Sequence, residues 1–367
     1  FLKEFAMKKI TYFITGGTGF IGRWLIQELS LQVSGSIGVL MRKPETQEVW
    51  LKDWLASHGG NANKIIAIPG DLRKPQLGIH SNDQTKLASV EVIYHLGASM
   101  SWGLSAEKAR EVNVRPTRDL IQIAQSCATF QRFVLASGFM VTNKNLLART
   151  GLNNYRNWTA SDWKRLYRQL GGYEASKFEA HFLALLALEE SKLPWTIVHP
   201  AAVVGHSQTG EINQYLGLVS VIDQLRQGKM PAIPGSAEDW LPIIPVDFVA
   251  QFMAKVILLD HCKQQEYVLL DDRTPDLKTM LQWISAFLGI KPPKVRVPLK
   301  LLKFFLKFGL GKLTGVAAES LNFISSDSFE TANTKAIASE LGLSLPEPKS
   351  YLERMVGYLQ ANQFLQT

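Results

Sequence analysis

Thr15-Gly16-Gly17-Thr18-Gly19-Phe20-Ile21-Gly22 is the stretch that decides how this chain is read. Apolar residues 10–14 precede it and predict a short buried strand. Trp24, Leu25, Ile26 and Leu29 follow it at spacings that give a helix one apolar face. A strand, a glycine-rich turn and a helix in that order predict a dinucleotide site. Gly16 would permit the tight turn and Gly19 would let a pyrophosphate approach the backbone. Gly22 would let the helix pack closely on the strand. The phosphates would lie on the free N–H groups and the positive dipole end of the new helix, so Thr18, Phe20 and Ile21 are counted with the glycines. Without its flanking elements the same turn would be an ordinary βα connection.

Outward from this turn, strands and helices alternate. Residues 37–41 predict a second strand that ends in Arg42-Lys43-Pro44. No acid stands there to accept hydrogen bonds from ribose hydroxyls. Arg42 instead offers a planar fork matched to a 2′-phosphate, with Arg23 at the start of the first helix able to join it. This favours NADP over NAD; a solvated Arg-Lys pair would leave the choice open. Residues 46–63 read as a polar helix. A strand at 65–68 leads to Gly70-Asp71-Leu72, where Asp71 either meets the adenine amino group or simply forms a turn. The strand at 92–95 leads to Leu96-Gly97-Ala98-Ser99, whose small residues would let the cofactor pass close to the backbone. His95 reads as a packed strand-end histidine. A helix opens at Asn113-Val114 and runs to about residue 128. The strand at 132–136 ends at Ser137, and the strand at 196–199 ends at Pro200. The alternation predicts an α/β fold, a doubly wound parallel sheet with helices on both faces.

The bulk properties agree with a globular enzyme. The 367 residues, 46% of them hydrophobic and 20% charged, suffice for a large core domain with a second lobe. Cys127 and Cys262 cannot make a disulfide framework and point to a reducing, cytoplasmic setting. Residues 1–6 read as a leader before Met7, and a strand so near the start argues against a signal peptide. No apolar run approaches the roughly 20 residues of a spanning helix. The net charge of +8 suits an anionic partner: a phosphorylated cofactor, coenzyme A, an acidic carrier protein or a lipid surface. Nucleic acid ranks last because no recognition motif is present, and no metal is expected because no zinc-ligand spacing is present.

Tyr173-Glu174-Ala175-Ser176-Lys177 opens a long alanine- and leucine-rich helix to about residue 190. A tyrosine and a lysine four apart project from one helix face. A phenol is too weak an acid to exchange protons usefully at neutral pH, and a nearby ammonium is expected to lower its pKa. Ser137 could bond a substrate carbonyl oxygen. Together the three would polarise a carbonyl and protonate the oxyanion that forms on hydride transfer. Taken singly, Tyr173 and Lys177 are ordinary helix residues and Ser137 a helix cap.

Thr15 to Gly22, Gly70-Asp71, Asn113-Val114, Ser137 and Tyr173-x-x-x-Lys177 together resemble the extended short-chain dehydrogenases/reductases. Within them the chain looks most like the thioester-reductase branch, which includes fatty acyl-CoA reductases and the terminal reductase domains of peptide and polyketide synthetases. Gly19 to Arg23, His199-Pro200-Ala201-Ala202-Val203-Val204-Gly205-His206-Ser207-Gln208-Thr209-Gly210-Glu211-Ile212 and Ile244-Pro245-Val246-Asp247-Phe248-Val249-Ala250 carry that likeness. It covers nearly the whole chain, strongly to about residue 260. The resemblance implies a Rossmann fold with Ser137, Tyr173 and Lys177 as catalytic triad. It implies NADP held by Gly16, Thr18, Gly19, Phe20, Ile21, Gly22, Arg23, Arg42, Asp71, Leu72, Gly97, Ala98, Asn113, Tyr173, Lys177, Pro200 and Val203. The branch usually has Arg-Pro-Gly where this chain has His199-Pro200-Ala201, and a second hydroxyl residue beside the serine where this chain has Ala136.

The expected division is residues 7–200 with 243–270 for the NADP-binding domain, and 201–242 with 271–367 for a smaller, mainly helical substrate lobe. In that lobe, residues 216–225 read as a helix with an apolar face. Leu299-Lys300-Leu301-Leu302-Lys303-Phe304-Phe305-Leu306-Lys307-Phe308 is at once basic and apolar. Such a segment packs in the lobe, lines an acyl tunnel or lies in a membrane interface. The expected function is NADPH-dependent reduction of an acyl thioester, carried by coenzyme A or a carrier protein, to an aldehyde, with or without a further reduction to the alcohol. The alternatives are a reductase of a hydrophobic ketone or aldehyde, a nucleotide-sugar epimerase or dehydratase, and a non-catalytic NADP sensor.

Overall fold

A computed structural model describes residues 9–98, 104–215, 217–305 and 318–364. The calls on residues 1–6, on Ser99, on Leu216 and on 306–308 of the basic apolar segment lie outside these. By chain compactness the molecule divides into two units. One comprises 1–141, 150–199 and 250–267; the other comprises 142–149, 200–249 and 268–367.

The first unit is laid out by alternating strands and helices. β1 (Ile10–Thr15), α1 (Phe20–Gln32), β2 (Ser36–Met41), α2 (Pro44–Ser57), β3 (Ile65–Pro69), α3 (Ser81–Leu87) and β4 (Val92–His95) come first. After them come α4 (Ala106–Ala109), α5 (Arg115–Ser126), β5 (Arg132–Ala136), α6 (Lys144–Thr150), α7 (Ala160–Leu170), α8 (Gly172–Glu190) and β6 (Trp195–Pro200), of which α6 belongs almost wholly to the second unit. Proline at the first position of α2 starts that helix where its missing N–H costs nothing. The helix stops at Ser57, short of the expected residue 63, because Gly59 turns left-handed at φ +73°.

The remaining elements are β7 (Ala202–Val204), α9 (Leu218–Arg226), β8 (Ala232–Pro234), β9 (Ile243–Pro245), α10 (Val246–Val256), β10 (Gln265–Leu269), α11 (Leu277–Leu288), β11 (Val295–Val297) and α12 (Leu299–Phe305). Helices Ala332–Glu340 and Pro348–Ala361 follow.

Seven strands form one sheet in the order β10-β6-β5-β4-β1-β2-β3. The pairs from β3 across to β6 are all parallel. β4 and β6 are buried along their whole length, as strands covered on both faces must be. Chain order reverses between β1 and β4. In a doubly wound sheet this switch point opens the crevice outside the carboxyl ends where ligands bind. The glycine turn after β1 and the Gly97-Ala98 loop after β4 are therefore adjacent.

A second helix differs from its sequence-based expectation. No new helix opens at Asn113. Ser105 caps α4 by accepting from Lys108 N, and the chain continues through a π turn at Arg110–Val114 into α5. Pro116 in the first turn of α5 has no N–H to give, and Arg115 N bonds Arg110 O five residues back. The wide turn carries Asn113.

Within the second unit, β7 pairs with β9 and β8 with β11, both in parallel. Ser207 N and Oγ donate to the two carboxylate oxygens of Asp247 at 2.8 and 2.6 Å, which ties two of the stretches that carry the family likeness. Asp271, with its side chain 1% exposed, receives Arg273 on both oxygens and the Tyr351 hydroxyl at 3.2 Å. On α12, Leu301 and Phe304 are about half exposed and Lys300 is exposed.

Candidate active site

The glycine turn has the shape that a dinucleotide phosphate requires. Gly16 sits at φ +73°, and a Cβ there would lie 2.7 Å from Gly97 N, so the loops after β1 and β4 touch backbone to backbone. A Cβ on Gly22 would lie 2.1 Å from Gly16 O, which is how closely α1 packs on the turn. Gly19 is the exposed N-cap of α1 with no side-chain cap, and Phe20 and Ile21 are the first helical residues. Amides in a first turn have no intrahelical acceptor. An uncapped, exposed helix start beside a glycine-lined backbone contact fits a pyrophosphate. Leu72 reaches the same place, 2.4 Å from where a Gly97 Cβ would be.

The two arginines expected at the 2′-phosphate part company. Arg42 is exposed at the end of β2. Arg23 is only 3% exposed and lies over the Trp54 ring, 4.8 Å from its centroid. This cation–π packing replaces the solvent-facing fork that was expected. Asp71 is held by Arg73, whose guanidinium bonds both carboxylate oxygens, and this pairing lowers the Asp71 pKa.

Five of the expected site residues meet at the sheet's carboxyl ends in a way that sequence order does not display. Gly97, Ala98, Asn113, Ser137 and Lys177 line one small cavity with His95, Thr117 and His181. Its water-accessible space of about 20 Å³ suffices for one water molecule. Ser137 is brought there by β5, its N–H bonded to Val198 O of β6 at 2.9 Å. Lys177 is brought by α8. That helix starts hard against residue 104, since a Cβ on Gly172 would lie 2.0 Å from Leu104 O. Asn113 Nδ2 donates to Ser176 Oγ at 2.8 Å, and Ser176 Oγ donates to Tyr173 O at 2.8 Å. The π turn is thereby fastened to α8 between the tyrosine and the lysine. Tyr173 lies one turn before Lys177, 8% exposed, and is not among the cavity's lining residues. Pro200 ends β6 and Val203 lies in β7.

The electrostatics correct one expectation. Burial, followed by the neighbouring Glu174 carboxylate, pushes the Tyr173 phenol up to about 12; the lowering expected from Lys177 does not prevail. Burial alone lowers Lys177 to about 8. Tyr173 is thus a phenol at neutral pH, the form that donates a proton.

Several polar groups here have no sequence signal. His95 joins Thr15 Oγ1 at 2.7 Å to Thr117 Oγ1 at 3.0 Å, which links the glycine turn to α5. Burial lowers its pKa to about 3, so it stays neutral. Glu179 on α8 accepts from Arg110 Nε and from the Tyr167 hydroxyl, each at 2.7 Å. His181 and His199 approach Glu266. These pairs lie 12 to 85 residues apart in sequence, as His181 and Glu266 do, so nothing local announces them even where one member, such as His199, stands in a quoted stretch.

Comparison with known proteins places this arrangement. The chain is 29% identical over 247 residues to the non-canonical nonribosomal peptide synthetase FrzA of Cladobotryum sp., a match that covers 65% of this chain and 24% of FrzA. It is 24% identical over 302 residues to the fatty acyl-CoA reductase wat of Drosophila melanogaster, covering 74% of this chain and 58% of that protein. The chain therefore spans only part of these curated relatives. Its fold matches the crystal structure of the terminal R domain from the myxalamid PKS-NRPS biosynthetic pathway, with a TM-score of 0.77 at 22% identity, covering 98% of this chain and 93% of that one. The model of an NAD-binding family described as male sterility protein matches residues 14–253. With a parallel sheet and a glycine cradle at its switch point, the chain belongs to the NAD-binding family described as male sterility protein.

Proposed function

We propose that this protein uses NADPH to reduce an acyl thioester, borne by coenzyme A or a carrier protein, to an aldehyde and free thiol. The observation that carries the reading is the convergence of Ser137 and Lys177 on one cavity beside Gly97, with a protonated Tyr173 one helical turn away. Relatives described as a nonribosomal peptide synthetase and a fatty acyl-CoA reductase support a thioester over a free ketone or a sugar nucleotide. Exposed Leu301 and Phe304 on α12 support an acyl chain as the group recognised.

When bound, the cofactor supplies hydride to the carbonyl carbon. The first compact unit holds it, phosphates on the α1 N-terminus between Gly16 and Gly22, and Arg42 offers its fork to a 2′-phosphate. Ser137 Oγ donates a hydrogen bond to the carbonyl oxygen and orients it. The Tyr173 hydroxyl gives its proton to the oxygen as negative charge develops there, and collapse of the hemithioacetal then breaks the C–S bond, with the hydroxyl proton passing to the departing sulfur to release aldehyde and thiol. Lys177 Nζ, as the ammonium below about pH 8, favours the resulting phenolate and holds the ribose beside it. The second unit, through 201–242 and 271–367, selects the acyl group.

The test is NADPH oxidation, with product mass spectrometry, on a panel of acyl-CoA and acyl-carrier-protein substrates and on hydrophobic ketones. Aldehyde from a thioester is the expected result. Turnover of ketones alone overturns the thioester reading. Tyr173→Phe should lower turnover by about 10² or more, with a far smaller effect on NADPH affinity.

A further inference from the structure

We propose that His181, His199 and Glu266 form a binding site for one divalent transition-metal cation, with zinc the fitting ion. Three separate elements bring these residues together: His181 lies on α8, one turn beyond Lys177, His199 lies in β6 and Glu266 in β10. Their donor atoms all lie within 4.8 Å of one another. Nε2 of His199 is 2.7 Å and Nε2 of His181 is 3.6 Å from the same Glu266 Oε2. A tetrahedral ion with bonds of about 2.0–2.1 Å separates its ligand atoms by about 3.3 Å, a value between those two distances. The rings meet nearly edge to face, 68° apart with centroids separated by 5.2 Å, so neither imidazole blocks the other.

Hydrogen bonding accounts for His199 but not for His181. At 3.6 Å from Glu266, Nε2 of His181 is beyond a hydrogen bond. Its Nδ1 is buried with no partner, although the side chain is only 3% exposed. A buried imidazole without a hydrogen bond is costly, and an ion at Nε2 would explain why it is kept. Two imidazoles and one carboxylate are a donor set for zinc; magnesium and calcium prefer oxygen alone. Glu266, about a third exposed, gives the ion a path in and leaves a water as fourth ligand. Nδ1 of His199 is also buried without a partner. With neither ring backed by an acceptor, affinity should fall roughly 10–100-fold below that of fully supported sites.

The test uses the full chain, free of any histidine tag and stripped with a chelator. It is titrated with Co²⁺, whose visible absorption reports a tetrahedral nitrogen–oxygen site, and Zn²⁺ is then added as competitor. One saturable ion per chain is expected. Glu266→Gln, at a partly exposed position, should weaken binding at least about tenfold while circular dichroism stays unchanged. X-ray absorption of the zinc-loaded wild-type protein should show two imidazole ligands, a readout that needs no variant to fold. Absence of saturable Co²⁺ and Zn²⁺ binding to the folded protein overturns the proposal. So does unchanged binding in Glu266→Gln, or a zinc environment with fewer than two imidazoles.

Discussion

The two compact units hold their key residues in different ways. In the first, position comes from topology. Parallel strands deliver the glycine turn, Gly97 and Ser137 to their carboxyl ends, and the closest approaches are backbone to backbone, as between Gly16 and Gly97. In the second, position comes from charged side chains that meet across long separations. Asp271 gathers Arg273 and Tyr351, Asp327 receives the amides of Asn143 and Asn145 at 2.7 and 2.6 Å, and Ser207 is tied to Asp247. A site that binds a common cofactor is built from the regular part of the fold. The part held by side-chain clusters can change more freely.

Three substitutions would break or sharpen this contrast. The largest effect is expected from Gly22→Ala, whose methyl group would sit 2.1 Å from the Gly16 carbonyl oxygen. No side chain can yield there, so the turn itself must move. NADPH binding, followed by fluorescence titration, should be lost, with a stability loss of about 3 kcal/mol or more in denaturant melts. Asp271→Ala comes next. It takes the carboxylate from the buried Tyr351 hydroxyl and from Arg273, which keeps Glu347 and two backbone carbonyls, and should cost about 3 kcal/mol by the same melts. NADPH affinity measured well below the melting temperature should be untouched; a large loss would mean that the second unit's clusters also shape the cofactor site.

Lys177→Met has the smallest expected stability effect and the opposite sign. Burial lowers the lysine from 10.5 to about 8 in the folded protein, so folding is penalised wherever the unfolded chain would carry the charge. The penalty is fully present below about pH 8 and fades as pH rises from about 8 to 10.5. The variant should therefore be more stable than wild type at pH 7, by at most about 3 kcal/mol, and the gap should close toward pH 10.5. Its turnover should collapse. Equal stability at both pH values would show that the lysine is not desolvated.

The legibility of the chain follows the same divide. Strand and turn signals are local, so β4 and β5 were readable to the residue and the glycine turn gave the cofactor class. Ser137 and Lys177 stand out in the sequence as candidates, but that they share a cavity with Asn113 does not, because that depends on how β5, α8 and the π turn come together. The Tyr173 acidity is not legible in the sequence because it is set by burial and by the Glu174 carboxylate, which the spacing of Tyr173 and Lys177 does not report. Arg23 looked like a phosphate ligand because Trp54, thirty-one residues away, gives no sign in the sequence that it will cover the guanidinium. Helix ends were shifted by single residues: Gly59 cut α2 short, and Pro116 widened the turn before α5.

That widened turn limits how this gene can change. The π turn at Arg110–Val114 holds one more residue than an α-helical turn would. Deleting one residue within it would let the turn close to ordinary α pitch with little rotation of the helix beyond it, but would move the residues of the turn itself. The Asn113 amide would then leave Ser176, and the Arg110 side chain would leave Glu179. In an ordinary α-helix a one-residue deletion would instead rotate everything beyond it by about 100°. Here the same event would leave the flanking helix nearly in place and would cost chiefly the contact that fastens this turn to α8 beside Tyr173 and Lys177.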